Sequence, residues 1–200
     1  MPDYAFEEAL AGQRVAGIDE VGRGPLAGPV TAAAVILNAH DIPEGLNDSK
    51  QLGAGRRAVL YEEITTRADW AIGHASVEEI DQINILQASH LAMVRAVQGL
   101  RERPDHVLVD GRMVPAGLNI LAQGIVKGDT KSLSIAAASI VAKVTRDRIM
   151  VDLAQQHPGY GWETNMGYPS KSHREALRNL GVTPHHRRSF RPVHKMLYQE

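Results

Sequence analysis

The chain has no cysteine among its 200 residues. Disulfides and thiolate metal sites are thereby excluded, so any metal is held by oxygen or imidazole, while the redox compartment stays open. No apolar run approaches membrane-spanning length, and the acidic start Met1-Pro-Asp-Tyr-Ala-Phe-Glu-Glu8 lacks the basic flank and apolar centre of a secretory signal. A cytoplasmic location without a membrane partner is expected. There is no Walker-type Gly-Lys-Ser and no Gly-x-Ser-x-Gly elbow. The segment Gly22-Arg-Gly-Pro-Leu-Ala-Gly28 comes near a dinucleotide fingerprint, but its last glycine falls one residue late, and Pro25 and Pro29 suit an opening helix poorly. The histidines, His185 and His186 among them, form no helical His-x-x-x-His pair and are read as tail or substrate-facing groups rather than zinc ligands. Internal repeats and low-complexity segments are absent.

What is present fits one enzyme domain with an appendage. Hydrophobic residues make up 44% and charged residues 22%, the ordinary range for one substantial core. The net charge of −1 hides an asymmetry, because residues 171–195 carry Lys171, Arg174, Arg178, Arg187, Arg188, Arg191 and Lys195 against Glu175 alone. A solvated basic face is one reading of this patch, and a grip on a phosphate backbone is the other.

β-branched content and bounding turns predict strands near 14–19, 29–37, 70–77, 106–109 and 119–122. Helices are expected over 53–68, 83–99 and 132–156, with a short one near 170–180. In the second, Ile83, Leu86, His90, Leu91, Val94 and Val97 recur at helical spacing, and Gly99 stops it. The alanines of the third imply close approach to a sheet. Three early strands followed by helix, strand and strand indicate an α/β mixed sheet with helices on its faces. Residues 1–160 are read as the core and 161–200 as a basic helical and loop extension docked on it, with Leu177, Leu180, Val182, Phe190 and Val193 seeking burial.

The chemistry concentrates where acids meet strand ends. Asp19 and Glu20 close an apolar strand and are followed at once by Gly22-Arg23-Gly24, whose glycines let backbone N–H groups approach a ligand. Asp110 ends the strand Val107-Leu-Val109, and Asp129 lies just ahead of the long helix. Turn capping and helix capping are the structural alternatives for these last two. If the four converge, their repulsion calls for a divalent cation, and carboxylate oxygens select Mg²⁺ or Mn²⁺. Two ions about 3.5–4 Å apart would suit in-line phosphoryl displacement by water, with Lys50, Lys127 and Lys131 offsetting phosphate charge.

Several separated blocks now match a known family. Gly17 to Pro29, Asp48-Ser-Lys50, Val107 to Gly111, Lys127-Gly-Asp129 with Ala136 to Arg148, His157 to Gly161, Gly167-Tyr168 and His186 to Pro192 together make the chain resemble ribonuclease HII of the bacterial type, over nearly its whole length. The resemblance implies an RNase H-like fold and a catalytic, metal-holding set of Asp19, Glu20, Asp110 and Asp129. Asp129 is preferred to Asp147, which lies between Arg146 and Arg148 where an ion pair is expected. It also implies that Gly22, Arg23 and Gly24 grip a ribonucleotide at an RNA–DNA junction, that Tyr168 rather than Tyr160 stacks beside the following deoxyribose, and that Lys50 assists binding. The activity implied is hydrolysis of the phosphodiester 5′ of ribonucleotides in RNA–DNA hybrids, and of single ribonucleotides in duplex DNA, leaving 3′-hydroxyl and 5′-phosphate ends. The alternatives are a related nuclease acting on DNA branches and a nucleic-acid-binding module without turnover. A monomer is expected, and residues 196–200 show no clamp-binding peptide.

Overall fold

In the computed structural model, which describes residues 1–198, a five-stranded sheet carries helices on both faces. Its strands are β1 (Val15–Val21), β2 (Val30–Ile36), β3 (Asp69–Ala75), β4 (His106–Asp110) and β5 (Leu121–Ile125), in the order β3-β2-β1-β4-β5. The first three pair antiparallel, as short connections between β1 and β2 permit, while β4 and β5 run parallel to β1. The central strand β1 is therefore flanked by one neighbour of each kind.

The helices are α1 (Ala5–Glu8), α2 (Ala54–Arg67), α3 (Val77–Gln98), α4 (Leu133–Gln156), α5 (Trp162–Asn165), α6 (Lys171–Leu180) and α7 (Arg191–Tyr198). On one face α3 packs Ala88, Ala92, Met93 and Ala96 against Ala16, Ile18, Ala32 and Ala34. On the other, α2 and α4 pack Leu60, Ile64, Ala137 and Ile140 against Ala33 and Val35. Two glycines allow this closeness: a Cβ at Gly17 would collide with the backbone of Ser134 and Ile135 in α4, and one at Gly73 with the backbone of α3.

Three expectations are corrected. α3 begins at Val77, under a capping box of Ser76 and Glu79, and breaks at Asn84, whose side chain caps the second half through the N–H groups of Leu86 and Gln87. Its buried stripe is the alanine row, so Ile83, His90, Leu91 and Val94 are left part-exposed beside Met113 and Val114. The last strand lies at Leu121–Ile125, because Asn119 adopts φ 50° and still belongs to the preceding turn. In the C-terminal segment Leu177 and Val193 bury against Leu26, with Val182 and Phe190 at the margin, but Leu180 is exposed. Among the described residues no helix is long and apolar enough to cross a membrane.

Candidate active site

Register brings the first two acids together. β1 and β4 are parallel with Ile18 opposite Val109, so the next residues in the two strands, Asp19 and Asp110, stand side by side. Asp110 ends β4, whereas β1 runs on to Val21, so Asp19 and Glu20 lie within their strand, paired with Ala33 and Ala32 of β2, and do not close it as expected. β5 pairs Ile125 with Asp110, and the chain then enters a tight turn over Gly128–Thr130. Lys127 takes φ 55°, and the Gly128 N–H donates to Asp110 Oδ1 at 2.7 Å. This bond locks the turn that carries Asp129 onto the β4 acid. Asp19, Asp110 and Asp129 each present an oxygen within 4.8 Å of the others.

Glu20 is not part of that triad, since its Oε1 pairs with Arg23 Nη1 at 3.3 Å. Its backbone N–H instead donates to Asp19 Oδ1 at 2.7 Å. Lys50 Nζ is the cation beside the acids, 3.7 Å from Asp129 Oδ2 and 3.8 Å from Asp48 Oδ1, whereas Lys127 and Lys131 are exposed and make no ion pair among the described residues. Asp48, a buried fifth acid, escaped sequence reasoning, although its place in Asp48-Ser-Lys50 was a usable signal. Its side chain accepts from the Lys50 N–H.

The electrostatics are those of an uncompensated anionic pocket. Burial, then Glu20, Asp110 and Asp129, push the Asp19 carboxyl well above the usual carboxylate range against the weaker pull of Lys50. Asp129 is raised by burial, Asp110 and Asp48. Burial raises Glu20, and Arg23 opposes it. The acids hold Lys50 above its ordinary value in spite of burial, so it stays cationic. Three hard oxygen donors packed this tightly with one nearby lysine fit a divalent cation and provide no thiolate or imidazole for softer metals.

Beside this pocket the loop Gly22–Pro29 is held between the Gly167 and His185–Arg187 segments: Leu26 N–H donates to Gly167 O, Gly28 N–H to His185 O, and Arg187 N–H to Leu26 O. Arg23 and Gly24 are its exposed tip. The Tyr168 ring, 42% exposed, lies against Gly24, with Cε1 3.4 Å from where a Cβ would stand. Tyr160 is buried, stacks on Trp162 and donates to Gly181 O.

Asp147 keeps its expected role, while one cationic and one imidazole reading change. Asp147 makes the expected ion pair, with Lys143 at 2.8 Å and not with the flanking arginines, since Arg146 is buried and Arg148 pairs with Glu62. Arg187 is fully buried and unavailable to a phosphate. His186 is buried as well: its Nδ1 accepts from the Thr183 N–H, and its Nε2 lies 3.1 Å from Nε2 of His173, which in turn accepts from Trp162 Nε1. Desolvation, with neighbouring His173, His185 and His157, pushes His186 down to about 3.

A family model described as Ribonuclease HII matches residues 16–198. The chain belongs to the ribonuclease HII family. It is 72% identical over 192 residues to the ribonuclease HII of Roseobacter denitrificans, covering 96% of this chain and 97% of that one. The ribonuclease HII of Paracoccus denitrificans is 69% identical over 202 residues, covering 100% and 96%. Among solved structures, the ribonuclease H2 of Pyrococcus horikoshii OT3 superposes with TM-score 0.77 at 31% identity, over 92% of this chain and 97% of its own. A Bst RNase HIII in complex with Mn²⁺, 19% identical, reaches TM-score 0.74 over 92% of this chain and 68% of its own, a likeness of fold. As a member of this family the chain is a ribonuclease H, a hydrolase acting on RNA–DNA substrates, and its acid cluster is consistent with divalent metal binding.

Proposed function

We propose that the protein cleaves the phosphodiester on the 5′ side of ribonucleotides, both in RNA–DNA hybrids and at single ribonucleotides in duplex DNA, leaving 3′-hydroxyl and 5′-phosphate ends. The observation that carries this reading is the convergence of Asp19, Asp110 and Asp129, from three separate chain segments, to within 4.8 Å beside the exposed Arg23-Gly24 tip. Asp19, Asp110 and Asp129, with Glu20 at the rim, would hold two Mg²⁺ or Mn²⁺ ions. Bound there, such ions acidify an attacking water and offset charge on the departing oxygen.

The remaining roles belong to the chain itself. Gly22, Arg23 and Gly24 bring backbone to the ribonucleotide, whose 2′-hydroxyl is what distinguishes it from DNA. Tyr168 lies where a ring beside Gly24 would stack on the next deoxyribose and exclude a bulkier sugar. Lys50 steadies Asp129 and faces substrate phosphate. Residues 161–200, of which 199 and 200 lie outside the described residues, act as the substrate-binding segment through the exposed Lys171, Arg174, Arg178, Arg188, Arg191 and Lys195. The protein works as a monomer in the cytoplasm.

The test is an end-labelled duplex with one central ribonucleotide, incubated with Mg²⁺ or Mn²⁺ and with chelator. Metal-dependent cutting at the 5′ side of the ribonucleotide is expected. Comparable cutting of an all-DNA duplex would refute the reading, and binding without any cut would reduce the protein to a non-catalytic module.

A further inference from the structure

Two guanidinium groups lie under the Gly22–Pro29 loop with no accessible surface and no carboxylate within ion-pair distance among the described residues. Their hydrogen bonds go to backbone carbonyls. Arg187 donates to Gly22 O at 2.6 Å, Arg23 O at 3.0 Å and Gly28 O at 3.0 Å. Arg146 donates to Pro29 O at 2.9 Å, Met166 O at 3.0 Å and Ala27 O at 3.1 Å, and it occupies the space a Cβ at residue 22 would need. Burying a cation without a counter-charge is expensive, and replacing carboxylates by dipoles recovers part of that expense.

Peptide geometry shows what the charge does. In a planar trans peptide the C=O and the following N–H point in opposite directions. Drawing the carbonyls of Gly22 and Arg23 toward Arg187 therefore turns the N–H groups of Arg23 and Gly24 away from it. Both residues are exposed, and neither N–H has an acceptor among the described residues. Successive outward N–H groups of this kind form a concave donor for an anion or a hydroxyl.

We propose that Arg187, braced by Arg146, is a positioning residue for ribonucleotide recognition: its carbonyl grip sets the outward aim of the Arg23 and Gly24 N–H groups. The proposal rests on the reading that this tip meets the ribonucleotide. Arg187→Lys keeps the charge, but one ammonium cannot reproduce the fork that holds three carbonyls.

The measurement is the affinity of a duplex with one ribonucleotide relative to the same all-DNA duplex, read by fluorescence anisotropy in an Asp19→Asn background so that no strand is cut. Arg187→Lys should lower this preference about tenfold, the worth of roughly one hydrogen bond, while all-DNA affinity changes by less than about twofold. A merely structural arginine would lower both affinities together. Where Arg187→Lys fails to fold, an amide-to-ester replacement at Gly24 deletes that N–H with every side chain in place and should lower the preference in the same direction. An unchanged preference in the folded lysine variant, or in the ester, overturns the proposal alone. No preference in the Asp19→Asn parent overturns the underlying reading and the proposal with it.

Discussion

Two buried clusters of like charge lie side by side, and the fold treats them in opposite ways. Beneath the Gly22–Pro29 loop, Arg146 and Arg187 each donate to three backbone carbonyls, dipoles of their own chain that offset part of a burial that still pulls both guanidinium groups below their ordinary range, Arg146 to about 10 and Arg187 to about 9. Where β1, β4 and the turn after β5 meet, Asp19, Asp110 and Asp129 face one another with two backbone N–H bonds and Lys50 as their nearby relief. The chain supplies hydrogen-bond partners from its own backbone to every member of one cluster. The other is left for something from outside, which is the electrostatic signature of a binding site.

The contrast can be broken from either side. Arg187→Met strands three buried carbonyls and should lower unfolding free energy by at least about 3 kcal/mol in urea titration; a variant as stable as its parent would show that the cationic cluster is not internally satisfied. Asp19→Asn removes one of several repelling anions, so stability should hold or rise, while cleavage falls at least ~10²-fold through loss of a metal ligand. A destabilised Asp19→Asn protein would mean that the acids are mutually satisfied after all. Mn²⁺ at ten times its dissociation constant should raise stability by about 1.4 kcal/mol in the parent, and by clearly less in Asp129→Asn, monitored by thermal unfolding.

A smaller effect tests the buried imidazole of His186 beside His173. The folded state holds His186 near 3, while the unfolded chain titrates it near its ordinary 6.5. Below pH 6.5 the unfolded state takes up a proton that the native state refuses, so stability falls as pH drops from 6.5 toward 3. Between pH 7 and 5.5 the loss should be roughly 1 kcal/mol, and His186→Asn should flatten the dependence measured by urea denaturation. An equal slope in that variant would place the titration elsewhere.

Parts of this arrangement were legible in the sequence because they are local. Strand periodicity and bounding turns located β1 to β4, and Asp110 is the strand-end acid that the sequence indicates, whereas Asp19 lies within β1, two residues before its end. Parallel register, which makes Asp19 and Asp110 neighbours, is a property of the folded sheet and has no local signal. The Ser76–Glu79 capping box was readable and went unread. Arg187 shows the harder limit: in a run of basic residues it looks like Arg188, and what separates them is a loop more than 150 residues away in the chain. Likewise, nothing in Tyr160 or Tyr168 alone states which ring is enclosed by Trp162 and which lies open against Gly24.

Gly17 has a consequence for the width of the acid pocket. The hydrogen atom it carries in place of a methyl lets the first turn of α4 rest on β1, two residues from Asp19 and a few residues beyond Asp129. The separation of the backbones that carry Asp19 and Asp129 is thus gauged by two main chains in contact. An alanine there would act as a shim, prying the Asp129 turn outward and detuning the pocket without altering a single ligand.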